Sequence, residues 1–326
     1  MNHINRSARS DQTNADKTVA AFEQDVIDGL SQDQKSIPCK YLYDQTGSQL
    51  FDAICKTPEY YPTRTEISLL EKHASEIADL MGPGAHLIEF GSGSSIKVRL
   101  LLDAAPDLAS YVPVDISKDH LLEAASSIAK DYADLQVLPV AADFTQSFPL
   151  PQEIAEGRKI GFFPGSTIGN FVVEEAEAFL ANAAELVGPG GGLLIGADLK
   201  KDTDTLHAAY NDEAGVTASF SLNLLRRINR EIGGTFDLQR FRHVAEYNAD
   251  AGRVEIFLES RAEQSVRVNG NTFQFDKGER IHTENSHKYD IAEFQALGRQ
   301  AGFTPCKTWV DSETLFSVHY LEVPAT

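Results

Sequence analysis

The sequence predicts an α/β fold: a doubly wound parallel sheet carrying an inserted α+β domain. Two patterns predict it. From about residue 65 to 200, short apolar runs alternate with amphipathic helical stretches, and the alternation resumes after about 289. Runs that are apolar on both faces suit parallel strands covered by helices. Between Phe241 and Tyr289 the period changes to two, and Asn269-Gly270 lies between Val266-Arg267-Val268 and Thr272-Phe273 as a type I′ hairpin signal.

Taken in order, Met1 to about Lys17 is polar and aperiodic and reads as a mobile tail, disordered over 1–14. From Thr18 to Leu30 a helix is expected, with Val19, Phe22, Val26 and Leu30 on one face. Ile37 to Ser48 reads as a loop rich in aromatic and polar groups, and Ser48 to Cys55 has helical spacing. Thr57 to Glu66 holds two tyrosines between two prolines, which fits either a loop packed by aromatic bulk or a wall of a small-molecule pocket. Thr65 to Leu80 is an amphipathic helix with Thr65 as its expected cap. Strands are expected at 87–90, 111–115, 136–141, 158–163 and 193–196, and helices at 96–104, 117–132 and 174–187. Thr217 to Ile232 is helical and ends at Gly233-Gly234. After the period-two region come a helix through Ile291, Phe294, Leu297 and Ala301, then two strands at 307–310 and 315–323. The expected sheet domain takes 65–200 and 289–326. The second, substrate-binding domain takes 15–64 and 201–288. A pocket is expected between them, above the carboxyl ends of the strands.

Composition narrows the function. The 326 residues carry 48 acids against 29 bases, a net charge of −19, which disfavours nucleic acid and anionic membrane as partners. No apolar run approaches membrane-spanning length, and the polar N-terminus lacks a signal-peptide core. Cys39, Cys55 and Cys306 are too few and too scattered for a disulfide framework or a zinc site, so a cytoplasmic protein without a bound metal is expected.

The chemistry gathers at His86 to Lys97. A buried strand ends in Glu89, turns through Gly91 and Gly93, and enters a helix at Lys97. Glycines let a ligand approach the backbone, and a helix start offers unpaired N–H groups to an anion. The turn lacks the third glycine of the dinucleotide fingerprint, and by itself it is equally a structural turn. Asp115, at the end of the second strand and 22 residues after Gly93, can accept both hydroxyls of a ribose. Asp143-Phe144 follows the third strand. Pro164 to Phe171 follows the fourth. Asn170 there fits a left-handed turn or a helix cap. It fits equally an amide that meets both the amine and the carboxylate of an amino acid.

The series Glu89, Asp115 and Ala142-Asp143-Phe144, with the final strand pair, resembles class I S-adenosylmethionine-dependent methyltransferases. A more specific resemblance covers about Lys35 to Val323. Lys40-Tyr41-Leu42-Tyr43-Asp44, Gly47 to Asp52, Pro58 to Arg64, Glu89 to Ser94, Gly165 to Asn170, Ala209-Tyr210-Asn211-Asp212, Gly215 to Ala218 and Ile281 to Ser286 are similar to the histidine Nα-methyltransferases of ergothioneine biosynthesis. This resemblance implies a class I (Rossmann-like) methyltransferase sheet with an inserted α+β substrate-binding domain. It also implies S-adenosyl-L-methionine as cofactor, free L-histidine as substrate, hercynine as product and a monomeric enzyme.

Residue by residue, the resemblance implies that Lys97 pairs with the methionyl carboxylate, Gly91 lines the cofactor, Asp115 takes the ribose, and Asp143 with Phe144 holds the adenine. Asn170 and Tyr210 would grip the amino-acid head, while Tyr60, Glu284 and Ser286 face the imidazole. Tyr43 would lie near the cofactor and the reacting amine, as the catalytic candidate. Taken singly, Glu284 and Ser286 are ordinary exposed strand residues; the long match is what gives them a role. Ile256 stands where some members carry methionine, and Phe171 where leucine is frequent. No dedicated base is evident, and His86, His243, His282, His287 and His319 read as structural or surface residues. The alternatives are a related N-methyltransferase for another aromatic amino acid or amine, such as a tryptophan derivative, and a nicotinamide oxidoreductase. A carboxylate at position 284 argues against the first. The missing glycine argues against the second.

Overall fold

A computed structural model describes residues 19–93 and 95–325. The expected N-terminal tail, the first residue of the expected N-terminal helix and Ser94 of the glycine turn lie outside the described residues. Two compact units are present. Among the described residues, one holds 19–60 with Asp204–Asn248 and Val254–Asn285, and the other holds Tyr61–Thr203, Ala249–Arg253 and 286–325.

The second of these is built on one sheet. Its parallel strands are β1 (His86–Phe90), β2 (Ser110–Asp115), β3 (Gln136–Val137), β4 (Val140–Ala141), β5 (Lys159–Phe163) and β6 (Gly192–Asp198). The closing strands are β12 (Thr304–Val310) and β13 (Phe316–Glu322). The order is β12-β13-β6-β5-β1-β2-β3, with β4 continuing beside β2, and β13 runs antiparallel to both its neighbours. This is the doubly wound parallel sheet that the alternation predicts, and the final strand pair that closes it is antiparallel.

Neighbouring residues of each strand enter opposite cores. Leu87, Tyr111, Ile160 and Phe162 pack with Leu69, Leu70, Leu101 and Leu102 on one face. Ile88, Val112, Phe163 and Ile195 pack with Phe179, Leu180, Phe294 and Leu297 on the other. The helices of this unit that flank the sheet are α3 (Tyr61–Met81), α4 (Ile96–Ala104), α5 (Lys118–Asp131), α6 (Val173–Val187) and α9 (Ile291–Gln300).

Three expectations are corrected here. The helix expected from Thr65 begins at Tyr61, so Thr65 is interior and no cap. Pro62 is tolerated because the first helical turn needs no N–H from it. The third strand is two short pieces, because Pro139 between them cannot donate to the ladder. The domain boundaries also move: Tyr61 to Arg64 go with the sheet as the first turn of α3, and Ser286 to Lys288 go with it because Lys288 pairs with Asp198 of β6.

The other unit holds a helix over residues 19–30 (α1), α2 (Gln45–Ile54), most of α7 (Thr203–Tyr210) and α8 (Val216–Ile232). Asp44 caps α2 by accepting from Gly47 N at 2.7 Å, which carries the helix three residues ahead of the expected Ser48 start. Cys39–Leu42, expected as loop, is a 3-10 turn. Gly233, at φ 65°, ends α8 as expected. The period-two region makes β7 (Phe241–Asn248), β8 (Arg253–Ser260), β9 (Gln264–Val268), β10 (Asn271–Phe275) and β11 (Arg280–His287). They form a β11-β8-β7 sheet and a β10-β9 hairpin. Asn269 and Gly270 have φ of 42° and 83°, both positive as a type I′ turn requires. A parallel bridge between Ser36 and His282 joins the N-terminal segment to β11.

Candidate active site

In the sheet unit, the carboxyl ends of β1, β2 and β4 are locked side by side. Gly91 N donates to Val114 O at 2.8 Å, and Ala142 N donates to Asp115 O at 3.1 Å. Gly91, Asp115 and Asp143 are therefore brought together by strand pairing alone. Gly91 has φ 76°, and a Cβ there would lie 3.4 Å from the Phe144 ring, so Phe144 covers the turn. At Gly93 the nearest atom to an added Cβ is 3.9 Å away, which leaves the backbone approachable. Among the described residues, Ser92 Oγ is buried without a hydrogen-bond partner. An orphaned hydroxyl inside an open glycine turn fits a polar ligand that completes it.

The acids differ in electrostatics. Burial pushes the Glu89 carboxyl up to about 7, against the lowering effect of the Tyr111 hydroxyl that donates to it and of Lys97. Burial also raises Asp115, while its Oδ1 accepts from Ser117 N at 2.8 Å. Asp143 Oδ1 accepts from Thr145 N at 3.0 Å and from its hydroxyl at 2.6 Å, which fixes the carboxylate plane. Lys97, in the first turn of α4, pairs with Glu66 of α3, and Glu66 also accepts from Gly165 N at 2.9 and 3.0 Å.

Asn170 ends a 3-10 turn, Thr167–Asn170, after β5. Neither plain structural reading of it holds. The left-handed residue is Ser166, at φ 55°, and at the start of α6 Glu175 Oε2 accepts from Val172 N. A Cβ on Gly169 would come within 2.8 Å of His287 O, so this turn lies directly against the 287 backbone. Nearby, Ser286 Oγ accepts from Lys288 Nζ at 2.7 Å, and Lys288 is paired with Asp198 at 2.7 Å.

The other unit gathers aromatic rings. Tyr43 lies 5.4 Å from Phe220 and 5.7 Å from Phe51, Phe51 lies 6.2 Å from Tyr60, and Tyr60 lies 6.1 Å from Tyr210. Burial, then the nearby charge of Glu284, holds the Tyr43 hydroxyl well above its ordinary range. Tyr43, Tyr60, Tyr210 and Glu284 are thus one group. Ser286 lies two residues along β11 from Glu284, the spacing that points side chains to one face of a strand. Ile256 of β8 is 2% exposed and part of the core. His243 is held by Ser221 and Tyr210 O, and His86 by Ser110 and Glu156 O, so both are structural, as expected.

Sequence reasoning missed Glu66, Phe51 and Phe220 as candidates. Phe51 stood inside a motif already singled out, and its helical spacing with Ile54 pointed it inward. Phe220 looked like ordinary apolar filling of α8. Among the described residues there is no cluster of three potential metal ligands, and no helix is long and apolar enough to cross a membrane.

Comparison with known proteins gives this arrangement a family. The family model described as histidine-specific methyltransferase, SAM-dependent, matches residues 22–323. A histidine N-alpha-methyltransferase of Mycolicibacterium smegmatis is 40% identical over 302 residues, 91% of this chain and 93% of its own length. One from Mycobacterium tuberculosis is also 40% identical, over 89% of this chain and 91% of its own length. Ergothioneine biosynthesis protein 1 of Neurospora crassa is 33% identical over 84% of this chain, which corresponds to 32% of that longer protein. With nearly its whole length matched and the glycine turn and its acids assembled at the strand ends, the chain belongs to the histidine-specific, S-adenosylmethionine-dependent methyltransferases.

Proposed function

We propose that this chain methylates the α-amino group of free L-histidine three times, giving hercynine, as a step of ergothioneine biosynthesis. The observation that carries the substrate reading is the grouping of Tyr43, Tyr60, Tyr210 and Glu284, a set of hydroxyls and one carboxylate in an aromatic frame. A carboxylate accepts one ring N–H of imidazole, and a hydroxyl such as that of Ser286 serves the other nitrogen. Asn170 and Tyr210 are assigned to the amino-acid head, and Tyr60, Glu284 and Ser286 to the ring. We also assign the chain to the cytoplasm, as a monomer; no disulfide joins its three cysteines among the described residues.

Bound S-adenosylmethionine supplies an electrophilic sulfonium methyl. The chain's residues do the rest by holding and orienting. Lys97 is assigned to the methionyl carboxylate, Asp115 to the ribose, Asp143 and Phe144 to the adenine, and Gly91 to the backbone that lines them. The substrate grip must place a neutral amine about 3 Å from the methyl carbon, in line with the leaving sulfur. Tyr43 is assigned to the reacting amine. Its raised hydroxyl pKa keeps it a phenol, a donor and weak acceptor and not a strong base. The amine's proton therefore goes to solvent or along a hydrogen-bond path.

Asp115→Ala is expected to weaken both S-adenosylmethionine and its demethylated product by roughly 1.5–3 kcal/mol, the worth of charged hydrogen bonds to the ribose. Calorimetry that finds affinity unchanged removes Asp115 from the site. The head-group grip predicts that histidine amide, lacking the α-carboxylate, is a poor substrate. Transfer of labelled methyl groups should be rapid with histidine and at least about tenfold slower in kcat/KM with the amide. Equal turnover of the two would overturn the free-amino-acid reading.

A further inference from the structure

Glu66 has no role in the assignments above, yet it is the most enclosed charged group near the glycine turn, 1% exposed. It projects from α3, whose other charged residues are partly or fully exposed. Its carboxylate meets two partners from separate segments: Lys97 Nζ of α4, and Gly165 N of the loop after β5, at 2.9 and 3.0 Å from its two oxygens. The space for it is made by Gly196 of β6, where an added Cβ would lie 2.2 Å from Glu66 Oε1. Lys97 Nζ is only 3.5 Å from where a Gly165 Cβ would stand. The ammonium is therefore pinned beside the loop that leads to Asn170, although a lysine stem ordinarily samples many rotamers.

We propose that Glu66 is a positioning residue for the cofactor's amino-acid end, acting through Lys97. An ammonium has three N–H donors, and the Glu66 contact uses one of them. The carboxylate orders the lysine before any ligand arrives, so a ligand carboxylate that meets Lys97 does not bear the cost of freezing that side chain. Holding Gly165 N in the same grip sets the β5 loop and the lysine in one register. The inference rests on the assignment of Lys97 to the methionyl carboxylate.

Two probes separate this role from a structural one. S-Adenosylhomocysteine carries the amino-acid end; 5′-methylthioadenosine has the same adenosine and thioether but lacks it. Calorimetry with the full chain is expected to show that Glu66→Gln weakens S-adenosylhomocysteine about tenfold and leaves 5′-methylthioadenosine within about twofold. The glutamine oxygen still accepts from Gly165 N, so what is lost is the charge that orders Lys97. In a Lys97→Met background the same change should have no further effect on the ratio of the two affinities. Glu66→Asp, too short to reach both partners, should give the same selective loss and decides the matter if the glutamine variant does not fold.

Equal weakening of both probes, no change in either, or tighter binding of S-adenosylhomocysteine would each overturn the proposal, the last by showing that Glu66 competes for Lys97. Wild-type protein that binds both probes equally would overturn the Lys97 assignment itself, an outcome seen before any variant is made.

Discussion

Asp198→Asn is expected to destabilise the sheet unit by about 3–5 kcal/mol, the cost of removing one partner from a buried ion cluster. Asp198 is 1% exposed at the end of β6 and accepts from Tyr61 OH at 2.8 Å, Lys201 Nζ at 2.6 Å and Lys288 Nζ at 2.7 Å. The lysine side chains are 6% and 0% exposed. Asparagine takes away the counter-charge that the two enclosed ammonium groups share.

Burial raises the Asp198 carboxyl, but Lys288 and Lys201 more than offset it and hold its pKa below the ordinary value. A depressed carboxylate stabilises fully above its unfolded pKa and loses that contribution as pH falls through the folded one, so near neutrality the whole effect is on view. Burial lowers Lys201 to about 8 despite Asp198. Between that value and its unfolded value of 10.5 the folded state binds fewer protons, so stability gained from this group rises with pH. Without Asp198 the lysine pKa falls further, and the relief begins at lower pH. The loss of Tm, on the order of 10 °C at pH 6–7, should therefore shrink towards pH 9. A variant that melts within a degree or two of wild type at neutral pH, or whose deficit grows with pH, would show that the cluster is not an ion cluster.

That cluster also marks where sequence reading stops. The strands were legible because residues buried on both faces make continuous apolar runs, as Leu87-Ile88 and Phe162-Phe163 do, with each neighbour feeding a different core. Glycine turns and Asn269-Gly270 were legible because their backbone angles admit few residues. The candidate side chains Tyr43, Tyr60, Tyr210 and Glu284 were found through extended motif similarity, and no local period would have grouped them. Asp198, Lys201 and Lys288 have no pattern either, since Lys288 lies 90 residues along the chain from Asp198 and their pairing is made only in space. Glu66 looked like any acid on a polar helix face until Gly196 made room for it and Gly165 N donated to it. The start of α3 was misjudged because Pro62 reads as a breaker, and a first-turn proline is the exception.

Glu284→Ala is expected to lower kcat/KM for histidine by a factor on the order of 10–100, the worth of one charged hydrogen bond to a ring N–H. Glu284 is half-buried in β11, and its charge is felt at Tyr43, where it is the second cause of the raised hydroxyl pKa after burial. A pocket lined by groups that need ring N–H and N: partners rejects other rings, because its own polar atoms are then left unmet. Alanine removes that penalty and enlarges the site, so discrimination against tryptophan and phenylalanine should fall together with activity on histidine. Cofactor affinity should hold, because Glu284 belongs to the unit that does not carry the glycine turn. Steady-state kinetics on histidine and tryptophan, with calorimetry of S-adenosylhomocysteine alongside, separates the outcomes. Weakened cofactor binding would point to a damaged fold. A variant that keeps the wild-type preference for histidine would show that Glu284 does not read the ring, and ring selection would then have to come from Tyr60 and the aromatic frame around it.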